Sequence, residues 1–148
     1  MRKITEIIRD IPYHIVEFPS RVKYFIQRGR RGWSDQDAWA IDYWLVETLI
    51  PMLERMRKNR FGTPASMYRR KDGVDKDGYP TDEASKMADQ RWYNVLSEII
   101  YGLKCAKEIQ ITDYDELTHG HKEMEKRLTI AYKRSFTLIG RYLFTLWD

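Results

Sequence analysis

The sequence predicts an all-α chain, a helical bundle of about four main helices after a short leading one. Apolar residues recur at helical spacing nearly throughout and alternation of the strand type is absent. Breaks are confined to Pro19, Gly29 to Gly32, Gly62 to Pro80 and Ile111 to Asp113. A length of 148 residues suits one compact domain, 1–148, that buries its core without cross-links.

Taken in order, the leading helix covers Ile4 to Ile8 and stops before Pro12, because a proline inside a helix removes a backbone donor. Ser20 then caps a short helix from Arg21 to about Arg28. The first long helix starts at Ser34, where Ser34-Asp-Gln-Asp37 approximates a capping box, and runs to about Asn59 with a kink at Pro51. One long loop, about 61–80, carries Arg69, Arg70 and Lys71 and two Asp-Gly turns. Loops of this length are often mobile or functional. The third helix begins near Thr81 or Asp82 and continues to about Glu108. The fourth follows Thr112-Asp-Tyr-Asp115 and continues almost to Asp148. Short connections between long helices favour antiparallel neighbours.

Composition narrows the function classes. The net charge of +4 and pI near 9.1 suit an anionic partner without requiring one. Five tryptophans and ten tyrosines exceed what a small core readily hides, so some are expected at a contact surface. The single cysteine, Cys105, has no internal partner and sits among apolar residues, as a small hydrophobe does in a reducing compartment. The N-terminus lacks the apolar core of an export leader, and no apolar run reaches the roughly 20 residues of a membrane span, so no membrane partner is expected.

Two groups of candidate site residues emerge. The first is a basic and aromatic surface: Arg28, Arg30, Arg31 and Trp33, with Arg69 and Arg70 from the long loop. Guanidinium groups beside an aromatic ring can hold phosphates and stack a base. Trp44 joins this group because it projects from the otherwise polar side of its helix.

The second is a buried polar anchor. On a helical wheel Asp42 falls in the middle of the apolar arc of Ile41, Val46, Leu49, Leu53 and Met56, and Asp35 projects along nearly the same line. A buried carboxylate needs a partner. His121 lies in the apolar stripe of the fourth helix, and Arg127, Arg134 and Arg141 stand along its flank at intervals of seven. Structural pairing of Asp35 and Asp42 with Arg127, Arg134 or His121 is the expected outcome, and a ligand site is the alternative. Asp37 reads as a solvated capping residue.

Metal is not expected. His119 and His121 would point to different faces of a helix, and Asp75-Lys-Asp-Gly78 lacks the later acidic ligand of a calcium loop. No glycine-rich phosphate loop and no nucleophile–base pair can be assigned, and no cofactor is implied.

The run Arg31-Gly-Trp-Ser-Asp-Gln-Asp-Ala-Trp-Ala-Ile-Asp-Tyr-Trp-Leu45, the later Arg60-Phe-Gly-Thr-Pro64, the Trp92 to Leu103 helix and the terminal Leu146-Trp-Asp148 resemble a family of small proteins encoded by tailed bacteriophages. The resemblance covers most of the chain. It implies a viral protein acting in the host bacterial cytoplasm or within the phage particle, and it assigns no activity to individual residues. The leading functional expectation is therefore a non-enzymatic phage accessory protein that binds a host or phage protein, in virion assembly or counter-defence, with self-association open. The alternatives are binding of a nucleic acid or another anionic ligand through the basic surface and, behind it, metal-dependent phosphoester hydrolysis using Asp35, Asp42 and His121.

Overall fold

The computed structural model describes residues 4–59, 62–111 and 122–146, with side chains from Phe18 onward in the first segment. The expected all-α class is what the chain adopts: α1 (Ile4–Arg31), α2 (Asp35–Trp39), α3 (Ile41–Asn59), α4 (Asp82–Ile111) and α5 (Lys122–Tyr142). Single turns of 3-10 helix occupy Ala65–Met67, Arg70–Asp72 and Leu143–Thr145, and no strand occurs among the described residues. None of the described helices is long and apolar enough to cross a membrane. The chain groups into two compact units, 1–44 and 45–148, and the division falls within α3, after Trp44.

In the first unit, α1 is one helix of 28 residues rather than the two short helices expected. Pro12 and Pro19 lie inside it. Each proline deletes one backbone bond, and a spacing of seven puts both deletions on the same side of the helix. The other bonds of each turn remain. The helix ends at Arg31, where Gly32 takes the left-handed conformation at φ 82° and its N–H donates to the Arg28 carbonyl at 2.9 Å. This is the glycine stop that terminates many helices.

The first long helix expected from the sequence, Ser34 to about Asn59, is divided. Ser34 caps α2, which closes after five residues at Ala40, with φ −117° and ψ 54°, and α3 begins at Ile41. The Ala40 N–H donates to Gln36 at 3.2 Å while its carbonyl accepts from Trp44 at 3.0 Å, so one residue ends α2 and starts α3. Pro51 is exposed inside α3, which continues through it to Asn59.

In the second unit, α4 is central. Ala88, Trp92, Leu96, Ile99, Ile100 and Leu103 are all buried along it, joined by Val46 and Leu53 of α3 and by Met67. Thr81 caps α4, accepting the Ala84 N–H at 3.2 Å. The Trp92 ring meets Tyr142 edge-on at 5.6 Å. Ion pairs Lys104–Glu54 at 2.7 Å and Lys107–Glu47 at 2.6 Å flank the α3–α4 contact. The segment 62–80 is tied down rather than loose: Arg91 of α4 donates to the Met67 carbonyl at 2.9 Å and pairs with Asp72 at 2.5 Å. Arg91 is also the main reason the Asp72 carboxyl lies below the usual carboxylate range. Asp75 accepts the N–H groups of Asp77 and Tyr79 at 2.9 and 2.8 Å, which closes the turn that carries Gly78.

The closest helix contact is α4 against α5, and Gly102 permits it. A methyl group placed on Gly102 would lie 2.4 Å from the Ala131 carbonyl oxygen and 2.4 Å from the Ser135 side chain. Ser135, fully buried, donates to the Ile99 carbonyl at 2.9 Å across the same seam. Gly102→Ala must therefore push α5 away, and should destabilise the chain by about 1–3 kcal/mol, as overpacking does. Gly140→Ala is the control, because nothing lies within 4 Å of its added methyl. It should gain about 0.5–1 kcal/mol from helix propensity. Urea unfolding followed by helical circular dichroism separates the two, and equal midpoints would refute the close approach.

Candidate functional site: an aromatic recess on a buried carboxylate

The turn from α1 into α2 is built around Asp37. It is the third residue of α2, and its carboxylate turns back to accept the Ser34 N–H at 2.8 Å while Ser34 Oγ accepts the Asp37 N–H at 3.3 Å. This reciprocal pair is a complete capping box. Arg28 then completes the coordination with a two-pronged contact, Nε to Oδ2 at 2.8 Å and a terminal nitrogen to Oδ1 at 2.5 Å. Three donors thus converge on one carboxylate that is 6% exposed. Above all, the Arg28 bond holds the Asp37 carboxyl well below the usual carboxylate range. Because the folded-state value is depressed, the stabilisation is fully present above about pH 4 and is lost as pH falls through the folded value.

Asp35 forms a second, exposed set of contacts. Gln27 donates to its carboxylate at 2.7 Å and accepts its backbone N–H at 2.9 Å, Lys23 lies at 3.0 Å, and Arg31, the last residue of α1, pairs with it across the turn. Gln27 leads these contacts in depressing the Asp35 carboxyl. Arg31 also covers the Trp33 ring, its guanidinium carbon 3.8 Å from the ring centre, and donates to the Trp33 carbonyl at 3.0 Å.

These contacts position an apolar recess. Trp33, Asp37, Ala38, Ile41 and Trp44 line a cavity of about 280 Å³ whose exposed wall is apolar. Ile41 is 63% exposed, and Trp39 beside it is 90% exposed. Large apolar groups this open to water carry a free-energy cost of roughly 25 cal/mol per Å² that a partner can relieve.

Compared with family models, curated proteins and solved structures, the chain matches none. The reading of the site rests on geometry.

That geometry corrects several expectations. Asp42 is exposed, not buried, and in its unit the buried carboxylate among the described residues is Asp37. The wheel was right about direction but carried no information about where the core ends along the axis. Asp42 lies in the first turn of α3, and the first buried residue, Val46, comes one turn later. Asp35 is exposed and held within its own unit. Arg134 pairs with Glu98 of α4, and Arg127, also exposed, lies 3.6 Å from Glu123. His119 and His121 lie outside the described residues.

Within the basic surface, Arg28, Arg30, Arg31, Trp33 and Trp44 belong to the unit 1–44, and Arg69 and Arg70, both exposed, to the unit 45–148. Trp44 is half-buried in the recess wall rather than projecting freely. Trp39, the most exposed tryptophan described, was not singled out by sequence, because a continuous helix would place it differently. No group of three potential metal ligands occurs among the described residues.

Replacing Asp37 by Asn keeps the shape and removes the charge that Arg28 holds. Asp37→Asn should weaken the 34–40 turn by about 1–2 kcal/mol, the range for a lost helix cap. Asp42→Asn, at an exposed position, should change stability by less than about 0.5 kcal/mol. Hydrogen exchange at the Asp37 and Ala38 amides reads this directly, and equal protection in both variants would exclude Asp37 as the anchor.

Proposed function

We propose that the chain is a non-enzymatic accessory protein of a tailed bacteriophage and acts by binding a host or phage protein through the recess of Trp33, Ala38, Ile41 and Trp44. The observation that carries the reading is an apolar recess, fixed by the Asp37 contacts, in the same short turn of chain as Trp39, which is 90% exposed. At about 280 Å³ it falls below the roughly 300–1,000 Å³ of small-molecule sites, and suits one inserted apolar side chain. Aromatic anchors around such a pocket are the usual centres of protein interfaces. Virion assembly and counter-defence are both compatible with this chemistry.

Binding of nucleic acid through Arg28, Arg30, Arg31, Arg69 and Arg70 is the alternative. It is less favoured because Arg28 and Arg31 are already engaged by carboxylates of their own unit. A phosphate would have to displace Asp37 and Asp35.

Affinity capture of the tagged chain from infected cells, followed by measured binding of the captured protein, tests the reading. Trp33→Ala with Trp39→Ala should weaken that binding at least about 30-fold, the loss of a hot spot worth 2 kcal/mol or more. Unchanged binding by the double variant would count against the recess. Tight binding of DNA or RNA that falls steeply with added salt would favour the alternative.

A further inference from the structure

A second cavity, of about 130 Å³, lies wholly within residues 45–148. It forms where the last turn of α3 and the segment after Gly62 meet α4. Met56 and the buried Trp92 and Leu96 give it an apolar side. The rest of its lining includes one cation, Arg57, and one anion, Asp89.

Both charges are held in place. Asp89, Tyr93 and Ser97 follow at intervals of four along α4 and therefore share one face. Ser97 Oγ donates to the Tyr93 carbonyl at 2.7 Å, which leaves its lone pairs to accept from Arg57 at 3.2 Å. The Arg57 guanidinium also lies 5.5 Å from the centre of the Tyr93 ring. Asp89, in turn, accepts a hydrogen bond from Thr63 Oγ1. Arg57 is thus fixed at the level of Tyr93 and Ser97, and Asp89 begins one turn earlier, roughly 6 Å along the axis at 1.5 Å per residue.

Opposite charges that share a cavity usually pair. Among the described residues no ion pair joins Arg57 to Asp89, and each is bonded to a hydroxyl instead. Both keep bonding capacity. A guanidinium has five N–H donors and an ionised carboxylate about four acceptor sites, of which the bonds to Ser97 and Thr63 use one each.

This arrangement selects a ligand by charge and by size. A simple anion in the cavity would meet the Asp89 carboxylate, and a simple cation would meet Arg57. A molecule with both charges satisfies both walls. An α-amino acid carries a carboxylate and an ammonium on one carbon, and it can bridge such a gap with a charge-assisted bond of roughly 2.8 Å at each end. The volume lies below that of sites for drug-sized ligands. A cavity of about 150 Å³ accepts benzene, so this one suits about six non-hydrogen atoms, as in alanine.

We propose that this cavity binds a small zwitterion of the α-amino acid class, with Arg57 taking its carboxylate, Asp89 its ammonium, and Met56 and Trp92 its apolar side. The site lies outside the Trp33 recess, so either reading can fail without the other.

Three probes of nearly equal shape dissect the charges: alanine, propionate, which lacks the ammonium, and ethylammonium, which lacks the carboxylate. Calorimetric titration of the full chain should show alanine binding at millimolar concentration, with both single-charge probes weaker by about 10-fold or more, the loss of one charge-assisted bond. In nuclear magnetic resonance spectra the Trp92 indole signal should move with alanine. Asp89→Asn, at an exposed position, should keep the urea midpoint and weaken alanine by a similar factor. Arg57→Gln should do the same to binding, with its fold checked by circular dichroism. Absence of alanine binding by the wild type overturns the proposal. So does propionate or ethylammonium binding as tightly as alanine, or alanine binding that Asp89→Asn leaves unchanged.

Discussion

A single buried carboxylate organises the part of this molecule with the clearest functional features. Asp37 collects the Ser34 N–H and two Arg28 donors, and it does so only because α1 has ended at Gly32 and the chain has reversed. Remove the charge and Arg28 loses its partner, the capping box loses one half, and the short α2 is left to the exposed contacts of Asp35 with Lys23, Gln27 and Arg31. A helix of five residues is far below the length at which a helix persists by itself. Its order is borrowed from the pair.

From that constraint follows the display of aromatic groups. Because α2 closes at Ala40 and α3 restarts at Ile41, the side chains from Trp33 to Trp44 do not follow one helical wheel. They form a concave wall instead, with Trp33 held under Arg31 and Trp39 left in water. The same pairing reduces the free positive charge of the Arg28–Arg31 cluster. What looks in the sequence like a phosphate grip is, in large part, the internal fastening of a turn.

Much of the fold was legible in the sequence because its helices are amphipathic and its caps are chemically explicit. Ser34, Thr81 and Asp82 mark starts that the structure contains, and Asn59 marks an end. Other features depend on contacts that local propensity does not encode. Pro12 and Pro19 read as stops, yet a helix with enough remaining bonds runs through both. Ala40 is the strongest of helix formers and nevertheless ends α2, since the Arg28–Asp37 pair fixes where the turn closes. The exchange of roles between Asp42 and Asp37 has the same origin: a wheel gives azimuth, while burial depends also on where along the axis the neighbours begin. Gly102 stood in a helix without an evident purpose until Ala131 and Ser135 of α5 were seen against it.

The central claim is electrostatic, so the protonation of Asp37 is its most direct test. Carbon-13 detection of the side-chain carboxyl groups through an acid titration follows Asp37 separately from the exposed Asp42. If three donors hold the Asp37 charge in the folded state, its carboxyl signal will stay in the ionised position to well below pH 4, moving only as the turn itself opens. An Asp37 signal that titrates near 3.9, the ordinary aspartate value, with the 34–40 amides still protected, would contradict the account.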